Sequence, residues 1–190
     1  MKCALFFGSF NPLHVGHLAI AEYLLNDCDV DEVRLVVSPQ NPLKANADIS
    51  DKEVLQEARK RLDSVCKAIA KTGLDLKVSD IEFHLQKPYY TIKTLAAIQE
   101  KEPGTQFVMV MGADNLSIMK RWFKWDEILS TYEVYVYPRP GYDGKAIAEE
   151  YNRMDYRFRV TFLDAPTYDI SSTQIRDGEA EGRDMSKFKA

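Results

Sequence analysis

Along the whole chain, short apolar runs alternate with segments whose apolar residues recur at helical spacing. That alternation limits the fold tightly, because strands separated by helices cannot pair as hairpins and must cross over to lie parallel. Strands are predicted at Cys3–Phe7, Glu32–Ser38, within Leu74–Phe83, and at Gln106–Gly112, Glu133–Pro138 and Arg159–Leu163. Gln106–Gly112 is the most uniformly apolar of them, as a strand buried on both faces should be. Helices are predicted at His17–Asn26, at about Lys52–Lys71 with Ser50 or Asp51 as N-cap, at Thr91–Pro103 with Pro103 as the stop, and at Lys145–Met154. A helical region around Trp125–Leu129 and a short helix in Ser171–Gly178, stopped by Gly178, complete the pattern. The expected fold is α/β, a three-layer α/β/α sandwich on a central, mainly parallel sheet, with residues 1–190 as a single domain.

Several function classes fall away early. A formal net charge of -4 leaves no electrostatic footprint for nucleic acid, and basic residues are not interleaved with aromatics. No apolar run approaches the ~20 residues that span a bilayer, and the amino terminus lacks a secretory cleavage pattern. Cys3, Cys28 and Cys66 are odd in number and show neither disulfide nor zinc spacing. The expectation is a cytoplasmic protein with no membrane or nucleic-acid partner and no protein-held metal.

One junction carries chemistry. In "LFFGSFNPLHVGHLAIAEYLL" (Leu5–Leu25) a buried strand gives way to a helix through Gly8, Ser9, Phe10 and Pro12. In a parallel α/β sheet ligands bind beyond the carboxyl ends of the strands, so these residues sit at the crevice. Gly8 is expected to let a ligand approach the backbone. The helix start near His14 offers free N–H groups and a positive dipole end, a ready phosphate site. His14 and His17 are three apart and share a face, with Gly16 keeping it open. Their imidazoles suit hydrogen bonding to phosphoryl oxygens as charge builds at phosphorus. The plainer alternative is that His14 caps the turn and His17 packs in the core. A metal pair lacks a completing acid or thiol, and neither a P-loop nor a G-x-G-x-x-G dinucleotide motif is present.

"GSFNPLHVGH" resembles the signature of the H-x-G-H nucleotidyltransferases, a Rossmann-like superfamily, with Asn11 where aspartate is commoner. "ISSTQIR" (Ile170–Arg176) resembles the second motif of that superfamily. "SDIE" (Ser79–Glu82), "PYYTIKTL" (Pro88–Leu95), "GADNL" (Gly112–Leu116), "RWFKW" (Arg121–Trp125) and "RPGY" (Arg139–Tyr142) resemble, in order, segments of the bacterial nicotinate-nucleotide adenylyltransferases. Lys87 stands where that family often has glycine and Phe123 where tyrosine is common; members usually continue into one more carboxyl-terminal helix.

The resemblance implies transfer of the adenylyl group of ATP to nicotinate mononucleotide, by direct in-line attack and with Mg²⁺ on the ATP phosphates. His14 and His17 would serve the α-phosphate and its leaving oxygen, Arg176 would help hold the β- and γ-phosphates, and Lys44 would either neutralise phosphate charge or stand as a solvated loop lysine. Gly8, Ser9, Phe10, Gly16, Gly112, Asp114, Ile170, Ser171, Ser172 and Thr173 would complete the ATP site. Asp114 would accept from the ribose hydroxyls or cap the following helix. Ser9, Lys44, Tyr90, Thr91, Trp122 and Arg139 would hold nicotinate mononucleotide, with Trp122 stacking on the pyridine ring and Trp125 in the core. The resemblance leaves open whether the chain acts alone or as a homo-oligomer. Alternatives are a pantetheine-phosphate or nicotinamide-mononucleotide adenylyltransferase, or a nucleotide-binding module without activity.

Overall fold

The computed structural model describes residues 1–40 and 50–190. Six strands form one sheet: β1 (Lys2–Gly8), β2 (Glu32–Val37), β3 (Leu76–Ser79), β4 (Gln106–Gly112), β5 (Glu133–Tyr137) and β6 (Val160–Phe162). Their order is β3-β2-β1-β4-β5-β6, and every pairing is parallel. Phe6, at the centre, lies between Leu35 of β2 and Val110 of β4. The helices are α1 (Val15–Asp27), α2 (Asp51–Thr72), α3 (Thr91–Lys101), α4 (Ala113–Ser117), α5 (Trp125–Thr131), α6 (Gly144–Met154) and α7 (Ser172–Ala180).

The period of two along each strand sorts the core into two layers. Cys3 and Leu5 of β1 and Phe107, Met109 and Met111 of β4 face α3, α4, α5 and α6, against Leu95, Leu116, Ile128 and Tyr151. Ala4 and Phe6, with Val108 and Val110, face α1 and α2, against Ile20, Leu24, Val65 and Ile69. Both faces of the sheet are thereby covered, which is why its strands read as continuous apolar runs. A smaller cluster of Ile170, Ile175 and Met185 fastens α7, with Val15 and Phe188 against it.

Several expectations are refined. Ser50 caps α2 by a reciprocal bond set with Glu53, its backbone N–H donating to Glu53 Oε2 (3.1 Å), and Gly73 ends the helix at φ 71°. The extended stretch Leu74–Phe83 divides into β3 and a 3₁₀ turn at Ile81–His84. Gly178 does not stop α7. It lies inside the helix because a side chain there would strike Met185. The stop is Gly182 at φ 77°, with Arg183 N–H donating to the Gly178 carbonyl (2.8 Å) and Gly182 N–H to that of Glu179 (2.9 Å), a Schellman closure.

The edge strand β6 has an unusual partner. Asn152 of α6 donates to the Val160 carbonyl (2.8 Å) and accepts from the Val160 N–H (2.9 Å), standing in for a neighbouring strand. Replacing it as Asn152→Leu strands both groups of the buried Val160, each worth ~1–3 kcal/mol. Chemical denaturation should show a loss of at least about 2 kcal/mol. A loss below about 0.5 kcal/mol would mean that water replaces the amide at no cost.

Candidate active site

The sheet order reverses direction at β1. The chain leaves β1 through α1 toward β2 and later returns on the other side as β4, so the loops after β1 and β4 diverge and open a crevice. The cleft there is lined by Gly8, Ser9, Phe10, Ser38, Asp114 and Arg176, among others.

His14 is the N-cap of α1 and only 3% exposed. His17, one turn on, stacks against it with ring centroids 3.6 Å apart and planes 25° from parallel. The two imidazoles converge at the crevice rather than turning separately into the core. The His14 backbone N–H donates to His17 Nδ1 (3.3 Å), which leaves the His17 proton on Nε2. His14 Nδ1 has no partner among the described residues. Burial, reinforced by the nearby Arg139 cation, lowers His14 to about 4. Burial also holds His17 well below the usual imidazole range, with the His14 ring and Arg139 adding to it. Both rings are therefore neutral near pH 7.

The second motif meets the first across 160 residues of sequence: Ser172 Oγ donates to the Pro12 carbonyl (2.9 Å). Arg176 donates from Nη1 to the Asn11 carbonyl (2.5 Å) and from Nη2 to Thr173 Oγ1 (3.2 Å). Ser171 caps α7 by accepting from Gln174 N–H (3.2 Å). Lys189 forms an antiparallel bridge to His14, and the Ala190 N–H reaches the Leu13 carbonyl (3.2 Å). Ile170 is buried, and its carbonyl accepts from Arg139 Nη1 (3.4 Å).

Three glycines work differently from expectation. A side chain at Gly8 would collide with the ring of Phe10, and one at Gly112 with the carboxylate of Asp114. The space at each is filled from within the protein, so these glycines make room for Phe10 and Asp114 as well as lining the cleft. Gly16, expected to keep that surface open, is buried, with the His14 ring 3.1 Å and Tyr168 Cβ 3.2 Å from where a Cβ would stand, so it too makes room for neighbouring side chains. Gly112, and not Asp114, is the N-cap of α4; Asp114 lies in the first turn with Oδ1 buried and unpartnered among the described residues. Arg139 stands 3.8 Å from Asp114 and beside the histidines, on the side expected to hold ATP. Tyr137, half-buried near Asp114, has its phenol pushed well above its ordinary range by desolvation.

At the other end of the cleft, Tyr90 caps α3 and its ring stacks on Phe123 (centroids 4.4 Å, 22°). Thr91 begins the helix, and Trp122 lines the cleft with Nε1 buried and unpartnered among the described residues. Trp125 packs edge-on to Tyr151 and Phe158 in the core. Lys44 lies outside the described residues. The structure adds Glu82, Tyr137, Phe123 and Arg61 to the residues that build the cleft or its frame. Of these Glu82 and Phe123 had a sequence signal, as the last residue of "SDIE" and the third of "RWFKW".

Glu82 is 2% exposed and accepts from Thr94 Oγ1 (2.8 Å). Burial raises its carboxyl to about 7, against the opposing hydrogen bonds of Thr94 and Ser38. Between about pH 4.5 and 7 the folded chain holds a proton that the unfolded chain has released, so this group makes stability fall as pH rises through that window. Above it the cost is ~3 kcal/mol at most, at 1.36 kcal/mol per pK unit. Glu82→Gln should gain stability over wild type between pH 5 and pH 8 in denaturant titrations. An offset that is the same at both pH values would refute the buried-proton reading.

The sequence profile of the cytidylyltransferase-like family matches residues 5–178. A "Probable nicotinate-nucleotide adenylyltransferase" of Cytophaga hutchinsonii is 44% identical over 177 residues, 93% of this chain and 85% of that protein. One of Bacteroides fragilis with the same name is 39% identical over 187 residues, 98% of this chain and 86% of its own length. Among solved structures, the nicotinic acid mononucleotide adenylyltransferase of Plasmodium falciparum, complexed with NaAD, superposes with a TM-score of 0.76. That match covers 97% of this chain and 87% of the other at 16% identity, a likeness of fold. Among the described residues no helix is long and apolar enough to cross a membrane. With two signature motifs meeting at one crevice and relatives matching nearly end to end, the chain belongs to the cytidylyltransferase-like family, among its nicotinate-nucleotide adenylyltransferases.

Proposed function

We propose that this enzyme moves the adenylyl group of ATP to the phosphate of nicotinate mononucleotide, releasing pyrophosphate. The observation that carries the reading is the junction of the two motifs, with Ser172 on Pro12 and Arg176 on Asn11 beside the stacked imidazoles. A phosphate oxygen of the acceptor forms a bond to the α-phosphorus while the bond to the β-phosphate oxygen breaks, and pyrophosphate carries away the electron pair. No covalent enzyme intermediate is required, so the protein's task is alignment and charge stabilisation. His17 Nε2–H donates to the α-phosphate as charge builds, with His14 stacked behind it. Ser171, Ser172, Thr173 and Arg176 hold the β- and γ-phosphates at the start of α7. Mg²⁺ bound with ATP would neutralise polyphosphate charge beside Arg176.

Behind the imidazoles a narrow recess lies between Gly16, Ile20, Pro138, Tyr168 and Ile170, with Arg139 on its wall, and the adenine base is assigned to this side of the cleft. Asp114 is placed to accept from the ribose hydroxyls. At the far end, the free N–H groups opening α3 at Thr91 take the nicotinate carboxylate, and Trp122 stacks on the ring with Tyr90 and Phe123 as its wall.

One panel tests these assignments. Wild type, His17→Ala and Trp122→Ala are assayed for pyrophosphate release with Mg-ATP and nicotinate mononucleotide, nicotinamide mononucleotide or pantetheine phosphate. Wild type should favour the nicotinate acceptor; equal or better use of another acceptor would reassign the substrate. His17→Ala should lower kcat by ~10²–10³-fold, the cost of one lost oxyanion donor, with circular dichroism unchanged. Near wild-type turnover would remove that histidine from the mechanism. Trp122→Ala should raise KM for the nicotinate acceptor more than for ATP, and equal rises would contradict stacking.

A further inference from the structure

Arg61 lies on α2, a helix that supplies no residue to either motif, yet its guanidinium reaches the ends of two strands. Nη1 donates to the Ser9 carbonyl (2.6 Å) and to the Ser38 carbonyl (3.1 Å), and Nη2 donates to the Pro39 carbonyl (2.8 Å). Three main-chain oxygens from the loops after β1 and β2 are thereby held by one rigid planar fork. No carboxylate makes an ion pair with it among the described residues; Glu57, one turn earlier on α2, is the acid whose field it feels. A cation spent wholly on backbone carbonyls at the rim of a phosphate site is uncommon for a helix-surface arginine, which ordinarily faces water or an acid.

The backbone it holds is strained. Phe10 sits at φ 44°, in the left-handed region that bulky side chains avoid, at a cost of order 1–3 kcal/mol. Its ring is locked over Gly8, edge-on to Phe6 and to His17. In a trans peptide the carbonyl and the following N–H point in opposite directions. Holding the Ser9 oxygen on Arg61 therefore turns the Phe10 N–H away from Arg61, in a loop whose Ser9 and Phe10 both line the cleft. Without that hold, nothing else bonded to the Ser9 oxygen among the described residues opposes rotation of this peptide.

We propose that Arg61 is a positioning residue for adenylyl transfer: its guanidinium locks the Ser9–Phe10 peptide with the N–H presented to the phosphate, and ties the β1 and β2 loops at a fixed spacing. The inference deepens the proposed reaction and rests on it. It supplies a donor for the phosphoryl oxygens that needs no side chain, and it keeps the Phe10 ring where it buttresses His17.

The test compares wild type with Arg61→Ala, Arg61→Gln and Arg61→Lys. Each is assayed with Mg-ATP and nicotinate mononucleotide at a temperature where circular dichroism shows it folded. Arg61→Gln should lose ~10²-fold in kcat, the scale of a small misplacement in the site, with both KM values little changed. The Phe10 amide resonance in ¹⁵N–¹H spectra should shift in the substrate-free variants, and millimolar guanidinium should restore part of the turnover of Arg61→Ala where ammonium does not. A folded Gln or Lys variant with wild-type kcat, or an unmoved Phe10 resonance, overturns the proposal. A rise in KM with kcat unchanged overturns it too, by making Arg61 a binding group. Should the Ala and Gln variants fail to fold, the Lys variant decides: its ammonium cannot span three carbonyls in one plane, so the proposal requires it to lose turnover and shift Phe10. Absence of turnover in wild type would instead count against the reaction itself, while the amide shift still reports on the clamp.

Discussion

Everything above the sheet depends on the chain turning outward in opposite directions at β1. Because β2 lies on one side of β1 and β4 on the other, the segments that follow β1 and β4 cannot close over one another. The sheet thus keeps an open notch at its carboxyl edge, where strand-end backbone groups face no further rung. Those groups are either bonded by side chains or left for a ligand. Ser9, Asn11 and Pro12 are bonded, by Arg61, Arg176 and Ser172, three side chains from two helices, α2 and α7, far apart in sequence. The loop is a framed piece of backbone, and the imidazoles stand on that frame.

The electrostatics follow from the burial of the two imidazoles. A charged imidazolium pair stacked at 3.6 Å in a desolvated niche would carry mutual repulsion as well as lost hydration, and both rings stay neutral instead. Neutral donors cost little to hold in place before substrate arrives and need no reorganisation when charge develops on phosphorus. Positive charge is supplied from the surroundings, by Arg139 beside the histidines and Arg176 at α7, so an overall acidic chain still presents a favourable field to phosphate. The carboxylate nearest that field, Asp114, has one oxygen buried without a partner among the described residues. That leaves it an acceptor suited to a hydroxyl rather than to another anion.

Much of this was legible in the residues themselves. The alternation of apolar runs with helical periods located all six strands to within a few residues, since a sheet covered on both faces leaves its central strands, β1 and β4, almost wholly apolar. The stacked histidines were legible because their three-residue spacing is a helical property. What escaped notice depended on packing between distant segments. α4 has five residues, too few to show a period, and Gly178 looked like a terminator because its clash with Met185 has no local signature. Gly8 and Gly112 looked like approaches for a ligand, whereas the atoms that need their space belong to Phe10 and Asp114. Arg61 was invisible for the same reason: within the 22 residues of α2 it is one of several charges on an amphipathic helix, and only the tertiary fold sets it under the Ser9 carbonyl.

These non-local supports also bear on how the site forms. His14 sits where α1 begins, yet its surroundings include Ser172 on Pro12, the Lys189 bridge and the Ala190 bond to Leu13. Closing such long loops costs entropy that local helix contacts do not, and the compensating bonds form only once both ends are ordered. The sheet core, with Phe6, Leu35 and Val110 in register, can assemble from its own buried surface. The strained turn at Phe10 cannot, because its conformation is held by groups on α2 and by a ring packed on Gly8. Order at the crevice therefore depends on contacts between distant segments in a way that the sheet core does not. Substitutions at Arg61, Ser172 or Arg176 should consequently disturb the loop well before they disturb the sheet.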